Sequence, residues 1–127
     1  VTARTVAVDF DGVLHSYERG WHDGTIYGDW VPGAAPALRA LMERYAVAIH
    51  TTRDAGQVAA WLAERGFPVR TDDSERTFWD ERGVLLITNR KVAAVAYIDD
   101  RAVRFETWPD ALRAVGVEPA QLTNGEN

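Results

Sequence analysis

Short apolar runs alternate with helical stripes along this chain. Thr5 to Phe10 (TVAVDF) is β-branched and apolar, and reads as a buried strand ended at Gly12. Over residues 34–45, Leu38, Leu41, Met42 and Tyr45 fall at i, i+3, i+4 and i+7, the single stripe of an amphipathic helix. Ala46 to Ile49 reads as a second strand, closing in His50-Thr51-Thr52-Arg53. Asp54 is placed as the N-cap of a helix reaching about Arg65, with Val58, Trp61 and Leu62 inward and Gly66 as its stop. Pro68 to Thr71 predicts a brief strand, Ser74 to Arg82 a short helix carrying Phe78 and Trp79, and Val84 to Ile87 an extended segment. A strand over Tyr97-Ile98 runs into Asp99-Asp100, and Val103 to Phe105 gives a last short strand. Thr107 caps a final helix with Pro109 in its first turn and Leu112 and Val115 facing the core.

Strands alternating with helices predict an α/β fold, a Rossmann-like three-layer sandwich with a mainly parallel central sheet and helices on both faces. No repeat or linker divides the chain, so residues 1–127 are expected to form one domain. Residues 15–32 break the alternation. They hold Gly20, Gly24, Gly28 and Pro32 with little periodicity, and so predict a long flap loop, which in a small domain is usually functional.

Composition narrows the function classes. The 127 residues carry nineteen acids against fourteen cations, a net charge of −5, so a broad basic nucleic-acid surface is not expected. With no cysteine, disulfides, thiolate metal sites and cysteine nucleophiles are excluded. No apolar run approaches the roughly 20 residues that span a bilayer, and no charged-then-apolar leader opens the chain. The expected setting is cytoplasmic, with no membrane partner. Thirteen of the fourteen cations are arginine, and the single lysine is Lys91. A compact ammonium does what a planar guanidinium fork does not, which marks Lys91 as a candidate for a specific role.

In parallel sheets ligands bind at the carboxyl ends of the strands, and the polar residues gather there. Asp9 and Asp11 follow the first strand, Thr51 the second, and Asp99 and Asp100 a later one. Strand alternation would point Asp9 and Asp11 the same way and turn Phe10 to the other face. Two adjacent carboxylates need a cation, and an all-oxygen set suits Mg²⁺, with a third carboxylate from Asp99 or Asp100.

These residues, in this order, resemble the haloacid dehalogenase superfamily of phosphatases and phosphotransferases. Asp9-Phe10-Asp11-Gly12-Val13-Leu14 is similar to its first motif, and Ala48-Ile49-His50-Thr51-Thr52-Arg53 to its second. Lys91 stands at the third motif, with Val92 where proline commonly follows, and Tyr97-Ile98-Asp99-Asp100 is similar to the fourth. The resemblance implies Asp9 as nucleophile forming an aspartyl-phosphate, and Asp11 as general acid and then base. It further implies Thr51 and Lys91 holding the transferring phosphoryl group, and Mg²⁺ held among Asp9, Asp11, Asp99 and Asp100. Residues 15–32 are too few for a cap domain, and residues 54–90 are accounted for by sheet and helix, so a capless member is implied. Its open site would suit a phosphorylated substrate with a bulky end, nucleic acid entering only as substrate, unless an oligomeric partner covers it.

Thr52, Arg53 and His15 are candidate substrate contacts; Arg101 beside the fourth motif is another, and for Arg53 and Arg101 the equal alternative is a pair of surface arginines. His15, His22 and His50 share no metal-ligand spacing, and packing or surface roles stand beside any contact by His15. Trp21, Tyr27 and Trp30 in the flap would either stack on a base or sugar or plug the loop against the core. Two other classes compete. A catalytically silent binding module would keep the fold without the reaction. A receiver-type phosphoacceptor domain needs a lone Asp before its Thr and a Lys near the end, whereas here acids follow Lys91.

Overall fold

Strand β1 (Thr5–Asp9) is buried except at its last residue, so an apolar run delivers an acid to the carboxyl edge of the sheet. The computed structural model describes residues 4–16, 24–71, 79–90, 92, 94–99, 103–104 and 107–118. In it β1 lies between β2 (Ala46–His50) and β5 (Ala96–Asp99). β4 (Leu85–Thr88) and β3 (Val69–Thr71) extend the sheet on one side, and β6 (Val103–Arg104) ends it on the other. The order is β3-β4-β2-β1-β5-β6, and every pairing is parallel. The chain is thus an α/β protein with a Rossmann-like sheet.

Alternation along the strands sorts the core into two clusters. Val6 and Val8, Val47 and Ile49, Leu85 and Ile87 face α1 (Ala34–Arg44), α2 (Ala55–Glu64) and α3 (Trp108–Ala114) through Leu38, Leu41, Val58, Leu62, Trp108 and Leu112. Ala46, Ala48 and Leu86 point the other way, against Trp79 and Val92. β1 to β2 and β2 to β3 step in one direction across the sheet, whereas β3 to β4 and β4 to β5 step back. α1 follows β1 and α2 follows β2 in the chain, and both pack in the first cluster, with Trp79 and Val92 in the second. Small alanines on that second face leave room for the buried Trp79, whose carbonyl accepts from the Thr5 hydroxyl.

The helix expected over 74–82 needs correction at its end. Residues 72–78 lie outside the described residues, and 79–82 are not helical. Trp79 is pinned to the sheet through its own carbonyl, and Gly83 turns the chain at φ +84° into β4. The other caps agree with the sequence. The Asp54 carboxylate accepts from Gly56 N–H at 2.8 Å and Thr107 Oγ1 from Asp110 N–H, each worth about 1 kcal/mol. No helix among the described residues is long and apolar enough to cross a membrane.

Candidate active site

The connectivity reverses at β1, with β2 on one side and β5 on the other, which is where parallel sheets open a crevice beyond their carboxyl ends. Asp9 ends β1 in register with His50 of β2. On the other side, Val8 pairs with Ile98, so Asp9 and Asp99 are the next residues on adjacent strands. Two half-buried carboxylates therefore sit at neighbouring strand ends.

Thr51 follows β2, beside β1, and Thr88 ends β4, the next strand out; both are buried. Thr51 Oγ1 accepts from Arg53 N–H at 3.0 Å, and Thr88 Oγ1 accepts from Arg90 N–H at 3.0 Å, the same side-chain-to-backbone turn at two strand ends. With the Thr51 oxygen accepting, its hydroxyl hydrogen is the group it can offer to a phosphate oxygen. Asn89 joins the two turns, its amide donating to the carbonyls of Thr51 and Arg53 at 2.7 Å each. Sequence reasoning missed Asn89, since one asparagine after a strand looks like ordinary turn chemistry.

Asp11 is held differently from the expectation. β1 stops at Asp9, and Phe10 to His15 form a turn in which the Phe10 carbonyl accepts from the Leu14 and His15 amides at 2.9 Å. That turn, rather than strand alternation, sets the direction of Asp11. It is anchored from behind by the buried Trp108, whose indole N–H donates to the Val13 carbonyl at 3.2 Å. His15 Nδ1 lies 2.8 Å from Asp11 Oδ1, and Arg53 Nε lies 2.8 Å from Oδ2 and 3.0 Å from Oδ1.

Arg53 is no surface arginine. It is 2% exposed, and its Nη1 donates to the Gly24 carbonyl at 2.8 Å. His15 is fully buried with both ring nitrogens engaged by the protein, so in this conformation it offers neither to a substrate. The loop over 24–31 is strapped to the turn by Ser16 N–H to Asp29 O and Val31 N–H to Leu14 O, 2.7 Å each. Trp30 meets Trp61 edge-on at 4.8 Å and Phe67 at 5.7 Å, so it plugs the loop onto the core. Tyr27 meets the His15 ring edge-on at 5.2 Å. Thr52 is exposed beside the site. Lys91, Asp100, Arg101, Trp21 and His22 lie outside the described residues.

Among the described residues, no three His, Cys, Asp or Glu side chains form a group that could hold a metal. The donor set still fits Mg²⁺, which keeps several waters and binds through one or two carboxylates. Asp9, whose Oδ1 accepts from the Phe10 N–H at 2.9 Å, and Asp99 are the described carboxylates that could supply those, while the Asp11 side chain is engaged by Arg53 and His15. Tyr97, next but one to Asp99, donates its hydroxyl to the Val92 carbonyl and holds its proton above the ordinary value, chiefly through burial, with the Asp99 charge adding to the shift. Comparisons with protein-family models, with curated proteins and with solved structures give no match.

Proposed function

We propose that the protein is a Mg²⁺-dependent phosphohydrolase of the haloacid dehalogenase type, acting on a phosphomonoester through an aspartyl-phosphate on Asp9. The observation that carries this reading is the pairing of Asp9 and Asp99 at adjacent strand ends, with Thr51 at the next. Asp9 attacks phosphorus as the bond to the leaving oxygen breaks. The leaving oxygen takes a proton from Asp11, and Asp11 then accepts a proton from the water that releases phosphate from Asp9. A carboxylate offers about four acceptor positions. Oδ1 of Asp11 accepts from both His15 and Arg53, whereas Oδ2 accepts from Arg53 Nε alone at 2.8 Å, so Oδ2, with one donor rather than two, is the atom proposed to carry the transferred proton.

Attack by a carboxylate on a phosphate dianion meets about 4 kcal/mol of repulsion per pair of unit charges at 4 Å and an effective dielectric near 20. Bound Mg²⁺, held by Asp9, Asp99 and in this reading Asp100, supplies the neutralising charge. Thr51 and Lys91 hold the phosphoryl oxygens, Lys91 as a point charge. The substrate is a phosphorylated molecule with a bulky end, and the setting is cytoplasmic, in keeping with a chain that uses no cysteine.

The test is phosphate release from an aryl phosphate, with and without chelator. Activity lost in chelator and restored by Mg²⁺ is expected, and equal activity in excess chelator removes the metal from the account.

A further inference from the structure

Two buried side chains run from Asp11 to the backbone of the loop over 24–28, and each is engaged at both ends. Gly28 N–H donates to His15 Nε2 at 2.9 Å, so Nε2 carries no proton. The ring proton therefore sits on Nδ1 and is donated to Asp11 Oδ1 at 2.8 Å. Phe10 stacks on the ring at 5.3 Å, and Tyr27 and Trp61 close its edges at 5.2 and 5.9 Å. A flipped ring would turn carbons toward both partners. Arg53 makes the second bridge, with Nε on both oxygens of Asp11 and Nη1 on the carbonyls of Gly24 at 2.8 Å and Thr25 at 3.4 Å.

A histidine that merely filled space would need neither partner, and an arginine that merely neutralised Asp11 would not also bind the loop. We propose that His15 and Arg53 are positioning residues that make the aim of the Asp11 carboxylate depend on the seating of residues 24–28. This inference rests on the reading of Asp11 as the proton carrier. Lifting the loop breaks the Gly28–His15 and Gly24–Arg53 bonds together and leaves each support of Asp11 held at one end only. Seating the loop restores them, so proton transfer is confined to the closed arrangement. The coupling is reciprocal: to the extent that the loop aims Asp11, Asp11 holds the loop.

That reciprocity gives a test that needs no turnover. Amide hydrogen exchange on the full chain, resolved by residue, is compared between wild type and Asp11→Ala. Exchange at Gly28 is expected to quicken at least tenfold while Val8 and Ile49 in the central strands keep their rates. Gly28 exchange within twofold of wild type overturns the proposal. Should Asp11→Ala loosen the whole sheet, Asp11→Asn, which keeps the shape and removes the charge, is read by the same criterion. The ¹⁵N shifts of the His15 ring should show Nδ1 protonated and Nε2 bare, and the opposite tautomer overturns the assignment. On an aryl phosphate, His15→Ala is expected to lower kcat at least tenfold with KM within threefold. His15→Asn, whose amide N–H takes the place of Nδ1–H, should recover most of that loss, and no recovery counts against positioning. A wild-type protein without turnover would remove the proposed reaction, while exchange and tautomer would still decide the coupling.

Discussion

Replacing Gly28 by alanine tests the close approach of the loop to the turn after β1. A Cβ at Gly28 would stand 2.4 Å from the Ser16 carbonyl oxygen and 2.9 Å from His15 Nε2. Ordinary contacts of this kind lie nearer 3.5 Å, so the loop must move by about 1 Å. The Ser16 oxygen belongs to backbone, and the His15 ring is enclosed by Phe10, Tyr27 and Trp61, so neither neighbour gives way cheaply. Moving the loop forfeits the Gly28 to His15 bond and weakens the Ser16 to Asp29 bond, at about 1 kcal/mol each. Alanine restricts the unfolded chain and returns about 0.4–1 kcal/mol. The balance is a loss of about 1–2 kcal/mol, or roughly 4–8 °C in Tm for a domain of this size. Thermal unfolding followed by circular dichroism measures the shift, and amide exchange over residues 24–31 locates it. A Tm equal to wild type with unchanged protection in that loop would refute the reasoning.

Lys91→Arg should resemble Lys91→Ala in turnover despite keeping the charge, because a misplacement of about 1 Å can cost two orders of magnitude; near-wild-type rates would assign the phosphate to another cation. Asn89→Ala removes two 2.7 Å bonds from the turns that carry Thr51 and Arg53, and should cost about 2 kcal/mol in denaturant unfolding and lower kcat. Tyr97 holds its proton more tightly folded than unfolded, so its contribution is complete below pH 10 and is lost as pH rises through its raised folded value. Unfolding free energies measured from pH 8 to 11.5 should therefore fall more steeply above pH 10 in wild type than in Tyr97→Phe.

The strands and helices that carry a strong local pattern were legible in the sequence. The stripe of Leu38 and Leu41 and the N-cap Asp54 mark α1 and α2 because burial and capping act over a few residues. The segment around Trp79 was not, because its conformation is set by a bond to Thr5 far away in the chain. The same division runs through the site. Asp9, Thr51 and Asp99 were readable as polar residues at strand ends. The commitment of Arg53 and His15 to Asp11 was not, since it depends on the turn at Phe10 to His15 and on a loop without periodicity. Strand alternation was carried two residues past the end of β1 there, whereas it holds only while the backbone stays extended.

The most direct test of the central claim is to trap the phosphorylated protein. Brief reaction with a ³²P-labelled phosphomonoester and Mg²⁺, followed by acid quench, should leave label on the chain that hydroxylamine releases, as an acyl phosphate requires. Peptide mapping should put it on Asp9, and Asp9→Asn should carry none while keeping the wild-type fold by circular dichroism. Phosphate release by wild type with no hydroxylamine-labile label, or turnover retained in Asp9→Asn, would contradict the account.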